Sequence, residues 1–213
     1  MDGNNRWSIK NKRNQFESYL KGANRLLDIS KYLFNNYDVK YISAFALSKN
    51  NLKRSESRLT SIKNVLEYFV SNQKRYSNDQ FQILFKGDIG FLSNILKKKI
   101  FELQDINKNK KKKLVVYLNY SGQNDILNSA KKLVKMNIKI NHINFAKNLI
   151  TKNMPNPDLL IRTGGFRRIS DFMLYQLYFT ELFFSRKLWP DLRVKDLDKF
   201  IKDYHSIERK FGL

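Results

Sequence analysis

Two short segments of this sequence combine the residue types that bind phosphate groups. The segment RTGGFRRIS supplies three arginines around a glycine pair, namely Arg162, Arg167 and Arg168. Ser170 follows at the start of a predicted helix that begins near Ile169. Guanidinium groups, backbone N–H groups beside glycines and a helix N-terminus all favour an anion. The segment therefore predicts a phosphate or diphosphate site, and the alternative is a turn with exposed arginines.

The segment MDGNNRW, at the beginning of the sequence, offers similar groups in another arrangement. Gly3 lets the backbone approach an anion, Asn4 and Asn5 supply amide donors, and Arg6 supplies a guanidinium. Asp2 could hold a divalent cation against the same anion. Mg²⁺ usually binds through one or two carboxylates together with substrate phosphates, so a second acid near Asp2 would complete such a site.

The apolar periodicity predicts the elements that position these segments. Helical spacing is found in Asn14–Asn36, Glu56–Asn72, Ile89–Ile106 and Gln123–Met136. Short apolar runs that end in polar clusters predict buried strands at Val39–Ser48, Phe81–Asp88, Leu114–Gly122 and Asp158–Gly165. Strands that alternate with helices predict an α/β fold with a mostly parallel central sheet flanked by helices. The carboxyl ends of such strands meet at one edge of the sheet, where ligands bind.

Composition limits the class of protein. The chain has 213 residues, which suits one domain, and its 41 Lys and Arg against 19 Asp and Glu give a net charge of +22. Nucleic-acid binding is the alternative that this charge raises, but no nucleic-acid-binding motif accompanies it, so we expect no nucleic-acid partner. The one dense run, Lys108–Lys113, is typical of an exposed loop. The absence of cysteine excludes thiolate chemistry, and His142 and His205 lack metal-ligand spacing.

The order and spacing of several motifs resemble the cis-prenyltransferase family, which includes undecaprenyl diphosphate synthase. These motifs are MDGNNRW, ALSKNNLKR, NYSG, PDLLIRTGGFRRISDFMLYQLYFTELFF and LWPDL. The resemblance covers essentially the whole chain. It implies a single domain over residues 1–213 with the cis-prenyltransferase fold and an apolar tunnel between sheet and helices. It also implies a Mg²⁺-dependent enzyme that condenses isopentenyl diphosphate with an allylic diphosphate, such as farnesyl diphosphate, to make a long-chain polyprenyl diphosphate.

The resemblance also implies roles for individual residues. Asp2 corresponds to the catalytic acid that binds Mg²⁺, and Glu181 corresponds to the acid that joins the metal site. The allylic diphosphate loop corresponds to Gly3, Asn4, Asn5 and Arg6, with Trp7 as its flanking aromatic residue. The isopentenyl diphosphate site corresponds to Arg162, Arg168 and Ser170. In the flexible loop, Ser48 matches a polar residue of the family and Arg54 matches a basic one. Asn51 corresponds to a polar residue near the proton that isopentenyl diphosphate loses.

Several positions depart from the family pattern. In the predicted substrate sites, Asn5 replaces a glycine, Tyr19 a histidine, Asn50 an acid and Leu52 a tryptophan. Gln123 stands where an arginine is usual, and Phe166 stands where an acid is usual. Such losses suit an alternative function, that of a non-catalytic or degenerate partner subunit of another prenyltransferase.

The resemblance also sets expectations about assembly and surroundings. The strand that usually leads into the aspartate loop does not precede Asp2, which suggests either a start assigned at an internal methionine or a truncation. The family implies a homodimer, with its interface between Leu177 and the C-terminus. No apolar stretch reaches about 18 residues, so we expect a cytoplasmic protein, with peripheral contact at the inner face of the membrane for product release.

Overall fold

Three parallel strands form the larger sheet of the molecule, which is described by a computed structural model. The described residues are 1–53, 56–72, 76 and 78–209. In chain order, the strands of this sheet are β1 (Tyr41–Phe45), β2 (Phe81–Gly87) and β3 (Lys112–Leu118). β3 lies between the other two, and its Leu114 pairs with Ile42 of β1 and Ile83 of β2. A second parallel pair consists of β4 (Leu159–Arg162) and β5 (Glu181–Phe184).

The side chains of β3 alternate between two hydrophobic cores. Leu114 and Leu118 belong to the larger core, which also contains buried residues of the neighbouring helices. Val115 and Tyr117 belong to a smaller core on the other face, together with Phe172. Parallel strands are normally buried on both faces, which explains why β3 is a continuous apolar run in the sequence. The predicted α/β fold with a parallel sheet is confirmed.

Several helices begin at a residue whose side chain caps the first turn. In α2, Asn14 Oδ1 accepts the Glu17 N–H at 2.8 Å, and the Glu17 carboxylate accepts the Asn14 N–H at 3.3 Å. The helices predicted at Asn14–Asn36 and Glu56–Asn72 are confirmed to within one residue at each end. The helices of the described residues are α1 (Asn4–Lys10), α2 (Gln15–Asn36), α3 (Glu56–Ser71), α4 (Asn94–Asp105), α5 (Gly122–Lys135), α6 (His142–Asn148) and α7 (Val194–His205).

The sequence patterns do not indicate four of these elements: α1, α6, β5 and α7. The helix α1 matters most, because the segment predicted to be a phosphate-binding loop is helical from Asn4 onwards. Only Met1, Asp2 and Gly3 of this segment precede it, and Gly3 takes a left-handed φ of 106° as the N-cap residue. Among the described residues, no helix is both long and apolar enough to cross a membrane.

The helix predicted to begin near Ile169 is absent, and the prediction is wrong. Residues 170–179 form a series of turns, with positive φ angles at Ser170, Asp171 and Met173. Contacts with the start of α5 fix this conformation, because the Asp171 carbonyl accepts the Gly122 N–H and the Asp171 carboxylate accepts the Gln123 N–H, both at 2.8 Å. The apolar residues of the segment pack into the smaller core without forming a helix.

Asp125 of α5 is a buried acid whose charge is costly to the folded protein. Its side chain accepts hydrogen bonds from the Tyr120 hydroxyl at 3.1 Å and the Ile150 N–H at 2.9 Å, and only 3% of the residue is exposed. Burial nevertheless raises the pKa of the Asp125 carboxyl above its ordinary value. The folded protein therefore favours the protonated Asp125 carboxyl. The protonated carboxyl contributes fully to stability below the pKa of the unfolded chain, and this contribution is lost as the pH rises through the pKa of the folded protein.

We expect Asp125→Asn to become more stable relative to the wild type as the pH rises from about 4, the pKa of an unfolded aspartate. The asparagine keeps the shape and carries no charge that must be buried. Urea unfolding between pH 4 and 7.5 measures this difference, and Asp203→Asn on the exposed surface of α7 is the control. Identical pH profiles for the wild type and Asp125→Asn would show that the buried carboxylate costs nothing.

Candidate functional site

The residues ahead of α1 are fixed to the end of β4 by main-chain hydrogen bonds. The Asp2 N–H donates to Thr163 Oγ1 at 2.9 Å, and the Thr163 hydroxyl donates to the Asp2 carbonyl at 3.1 Å. The Trp189 N–H donates to the same carbonyl at 2.9 Å. Thr163 is buried, with 1% of its surface exposed. These bonds hold Asp2 at the carboxyl end of β4, where the arginine-rich segment begins.

The Asp2 carboxylate lies between two arginines. Arg162 Nη2 is 3.0 Å from its Oδ2, and Arg6 Nη2 is 3.6 Å from its Oδ1. The same Arg6 nitrogen donates to the Gly164 carbonyl at 2.7 Å. The sequence segments MDGNNRW and RTGGFRRIS, which predict separate phosphate sites, thus meet in one cluster.

Arg162 connects this cluster to Ser170. Its Nη1 donates to Ser170 Oγ at 2.7 Å and also to the Arg168 carbonyl. Arg168 Nε donates to the same hydroxyl at 3.2 Å. The structure therefore brings together the three residues that the resemblance assigns to one diphosphate, and their roles remain predictions.

The charge of the cluster favours an anion. Arg6, Arg162 and Arg168 contribute three positive charges, whereas Asp2 contributes one negative charge. The Arg162 side chain is 12% exposed, but Arg6 and Arg168 lie at the surface with guanidinium groups accessible to a ligand. Guanidinium groups bind phosphate oxygens through paired, charge-assisted hydrogen bonds, so this cluster can hold a diphosphate.

The glycine pair contributes space to the cluster, but it contributes no free N–H groups. The Gly164 N–H donates to the Lys187 carbonyl at 2.7 Å, and the Gly165 N–H donates to the Ser185 carbonyl at 2.9 Å. The prediction that these groups are free to bind an anion is therefore wrong. A Cβ atom at Gly164 would lie 2.6 Å from Arg6 Nη2, so glycine is required for Arg6 to approach.

We expect Gly164→Ala to impair activity far more than Gly165→Ala. Both glycines have positive φ angles, 87° and 84°, so both variants should lose stability by about 1–2 kcal/mol from backbone strain. Only the Gly164 variant also displaces Arg6, because a Cβ atom at Gly165 would meet Arg186 Cα at the ordinary contact distance of 4.0 Å. Thermal unfolding and steady-state kinetics separate the two effects, and equal losses of activity would contradict the proposed contact with Arg6.

Several predicted allylic-site residues make structural contacts around α1. The Trp7 indole N–H donates to Asp191 Oδ1 at 2.8 Å, and the residue is buried. Asn5 Oδ1 accepts a hydrogen bond from Gln15 at 3.3 Å. Asn4 Oδ1 lies against Gly22 of α2, and a Cβ atom added at Gly22 would lie 2.5 Å from this oxygen. Tyr19 lies on α2 and is half-buried.

The predicted flexible loop follows β1, and its residues Lys49–Lys53 form a 3₁₀ helix. Ser48 forms a parallel bridge with Tyr120, and its carbonyl accepts the Asn51 N–H at 2.9 Å. Asn50 is exposed, and Leu52 is half-buried and packs against the larger core. Arg54 lies outside the described residues.

Glu181 lies far from Asp2 within one chain. Glu181 is the first residue of β5, where it pairs with Leu159 at the amino end of β4. Asp2 is fixed beside Thr163 at the opposite end, and the four residue-to-residue steps from Glu181 to Ser185 span roughly 13 Å. Mg²⁺ binds oxygen ligands at about 2.1 Å, so one ion cannot contact both carboxylates of the same chain in this geometry.

Asp2 is nevertheless suited to Mg²⁺ in the presence of a diphosphate. Mg²⁺ commonly binds through a single carboxylate, several waters and substrate phosphates. Asp2 meets this requirement, because its carboxylate is partly exposed and lies beside the arginine cluster. Among the described residues, no group of three or more His, Asp or Glu side chains could share a metal ion.

A parallel α/β fold with an arginine cluster and a carboxylate at a strand end is an arrangement suited to binding a diphosphate. A family model described as "Putative undecaprenyl diphosphate synthase" matches residues 1–212. The chain belongs to this family, and it is therefore a cis-prenyltransferase, a transferase.

Individual relatives agree with this assignment over the whole chain. Dehydrodolichyl diphosphate synthase 1 of Arabidopsis thaliana is 33% identical over all of this chain and 74% of its own length. The isoprenyl transferase of Helicobacter pylori is also 33% identical, and the match covers all of this chain and 94% of that protein. These similarities confirm the family that the motifs indicate.

Solved structures confirm the fold. Lavandulyl diphosphate synthase from Lavandula x intermedia, in complex with dimethylallyl diphosphate, has a TM-score of 0.90 and 28% identity. The match covers all of this chain and 95% of that one. A probable undecaprenyl diphosphate synthase from Campylobacter jejuni has a TM-score of 0.80 at 23% identity, covering 91% of this chain and 92% of that one. The second similarity supports the fold alone.

Proposed function

We propose that the protein condenses isopentenyl diphosphate with an allylic diphosphate, such as farnesyl diphosphate, to give a long-chain polyprenyl diphosphate such as undecaprenyl diphosphate. The observation that carries this proposal is the contact of the Asp2 carboxylate with Arg162, which also binds Ser170. The proposal accounts for an excess of guanidinium groups over carboxylates at a strand end. It also accounts for a carboxylate held beside them.

The proposed reaction exchanges one carbon–oxygen bond for one carbon–carbon bond. The allylic carbon–oxygen bond breaks and releases diphosphate, the alkene of isopentenyl diphosphate attacks the allylic carbon, and a proton leaves to give a cis double bond. The arginines stabilise the negative charge that develops on the leaving diphosphate. Asp2 would hold Mg²⁺, which would supply further positive charge to that group. In this proposal Asn51 lies near the proton that leaves, the role that the family resemblance implies for it.

The two substrates are assigned to different parts of the cluster. Arg162, Arg168 and Ser170 bind the diphosphate of isopentenyl diphosphate in this proposal, and Arg6 belongs to the allylic site. The remaining allylic-site residues are Gly3, Asn4, Asn5, Trp7 and Tyr19, and the flexible loop contributes Ser48, Asn50, Asn51, Leu52 and Arg54. The contacts of Asn4, Asn5 and Trp7 with α2 and Asp191 suggest that these three act by holding α1 in place.

We expect Arg168→Ala to raise the KM for isopentenyl diphosphate by about 10-fold or more, because a hydrogen bond to a charged group is lost. The KM for the allylic substrate should change much less. Arg167→Ala removes an equal charge from the adjacent exposed residue and is the matched control. Steady-state kinetics with each substrate varied in turn measure both constants, and equal increases for the two substrates would show that the sites are misassigned.

We also propose a homodimer in which Glu181 reaches the metal site of the partner subunit. The separation of Glu181 from Asp2 within one chain supports this arrangement. Exposed apolar side chains beside it, Tyr178, Phe179 and Leu182, support an interface between Leu177 and the C-terminus. Each active site would then take one carboxylate from each subunit.

The apolar tunnel for the growing chain remains a proposal. Its expected lining lies in residues 20–33 and 62–69. There, Leu26 and Leu27 are buried in the larger core, and Ile62 and Phe69 pack against it. Leu20 instead borders an open groove of about 400 Å³ between α1 and α2, lined mainly by charged side chains.

We also propose that the protein is cytoplasmic. A peripheral contact with the inner face of the membrane would serve release of the long product.

Incorporation of labelled isopentenyl diphosphate tests the proposed activity. With farnesyl diphosphate and Mg²⁺, we expect radioactivity to enter a solvent-extractable product whose chain length is read by reversed-phase chromatography. Parallel assays with dimethylallyl and geranyl diphosphate identify the preferred starter. The retained cluster of Asp2, Arg162 and Ser170 favours this enzyme over the alternative of a non-catalytic partner subunit. The absence of any incorporation by the folded protein would favour that alternative.

A further inference from the structure

The phenyl ring of Phe166 lies among the three arginines of the cluster. The guanidinium carbon of Arg168 is 4.3 Å from the ring centroid, that of Arg6 is 5.0 Å away and that of Arg162 is 5.6 Å away. All three distances fall within the range of cation–π interactions. Phe166 is 40% exposed, so hydrophobic burial alone does not account for its position.

A ring at this position attracts cations without consuming their hydrogen-bond donors. Three guanidinium groups near one carboxylate repel one another, and an aromatic ring adds an attraction to the hydrogen bonds that already hold them. A second carboxylate there would pair with the guanidinium N–H groups and cancel part of their charge. The negative face of an aromatic ring attracts the cations but accepts no paired hydrogen bonds, so it occupies none of the donors that an anion would need.

The contacts of Phe166 also join the two parts of the cluster. Arg6 belongs to the first turn of α1, whereas Arg162 and Arg168 belong to the end of β4 and the turn that follows. Arg6 is assigned to the allylic diphosphate in the proposed function, and the other two are assigned to isopentenyl diphosphate. Phe166 is therefore in contact with cations of both proposed diphosphate sites.

We propose that Phe166 is a positioning residue that helps to hold Arg6, Arg162 and Arg168 together and takes none of their hydrogen-bond donors, so that the cluster keeps its positive charge for two diphosphates. This inference rests on the proposed function for the identity of the substrates. It predicts that the aromatic ring itself is required, and that an apolar side chain of similar size cannot replace it.

Three variants test this role by steady-state kinetics with both substrates. Phe166→Leu removes the ring, Phe166→Trp retains an aromatic face, and Phe101→Leu makes the same loss at an exposed phenylalanine of α4. We expect Phe166→Leu to raise the KM for isopentenyl diphosphate by about 3- to 20-fold, from the usual strength of one or two cation–π contacts. The KM for the allylic substrate should also rise, and kcat should change less than either constant. Phe166→Trp should stay within about twofold of the wild type, since tryptophan gives the strongest cation–π contacts.

Calorimetric binding of inorganic diphosphate without Mg²⁺ separates this inference from the proposed activity. We expect Phe166→Leu to bind diphosphate more weakly than the wild type and Phe166→Trp to restore the affinity, whether or not the protein condenses prenyl substrates. Wild-type affinity and KM values in Phe166→Leu would overturn the inference. Equal losses in Phe166→Leu and Phe166→Trp would also overturn it, because they would show that shape rather than the ring is required. A folded wild type that binds diphosphate but incorporates no isopentenyl diphosphate would contradict the proposed function alone.

Discussion

Replacing Asp2 with alanine is expected to lower the rate of condensation by at least about 100-fold while the protein remains folded. In the described part of the chain, the Asp2 carboxylate is the acidic group that pairs with arginines of the cluster, and it would hold the Mg²⁺ that stabilises the leaving diphosphate. The fold should survive, because Asp2 is tied to Thr163 and Trp189 through its main-chain groups, which alanine retains. The rate of labelled isopentenyl diphosphate incorporation and the melting temperature measure the two effects.

Binding of inorganic diphosphate distinguishes a metal ligand from an anchor of the arginines. Without Mg²⁺, Asp2→Ala should bind diphosphate at least as tightly as the wild type, because a negative charge has been removed from the site. Addition of Mg²⁺ should strengthen binding by the wild type only. Asp38→Ala, at a carboxylate that is 89% exposed, is the control for loss of an acid. Turnover by Asp2→Ala close to that of the wild type would remove Asp2 from the mechanism.

Mixing two inactive variants is expected to restore activity if Glu181 serves the partner subunit. Asp2→Ala and Glu181→Ala should each be nearly inactive alone. In a mixed dimer, one site would contain both altered residues and the other would contain neither. Random exchange of subunits should therefore recover about a quarter of the wild-type activity, as two-fold symmetry requires.

Controls for this experiment follow from the same geometry. Each variant should remain dimeric by sedimentation. A mixture that is assayed before its subunits have exchanged should stay inactive. A double variant, Asp2→Ala with Glu181→Ala, should restore nothing when it is mixed with either single variant. If Glu181→Ala alone keeps most of the wild-type activity, Glu181 is no metal ligand in either subunit. If both single variants are inactive and the mixture also remains inactive, the two carboxylates do not act across a dimer.

The sequence predicts the parts of this site that are local in the chain. Arg162, Arg168 and Ser170 lie close together in one segment, and the apolar run before them predicts a strand that ends at that point. The contact between Asp2 and Thr163 joins residues 161 positions apart. The apolar periodicity of the sequence does not indicate such a contact. Only the resemblance to a family relates MDGNNRW and RTGGFRRIS, as the two substrate sites of one enzyme.

Other features depend on tertiary contacts that a pattern cannot show. The apolar spacing after Ile169 suits a helix, but hydrogen bonds of Asp171 to the start of α5 favour turns. The glycine pair suggests free N–H groups, but its partners, Lys187 and Ser185, follow a strand that the sequence did not indicate. The register of that strand also determines where Glu181 lies.

The most direct test of the proposed chemistry measures two products of the same reaction. Labelled isopentenyl diphosphate entering the extractable product and inorganic diphosphate released into solution are counted together in the presence of farnesyl diphosphate and Mg²⁺. We predict that one diphosphate is released for each isopentenyl unit incorporated, and that Asp2→Ala lowers both rates equally. Diphosphate release without incorporation, or incorporation that persists in Asp2→Ala, would contradict the assignment of prenyl chain elongation to this cluster.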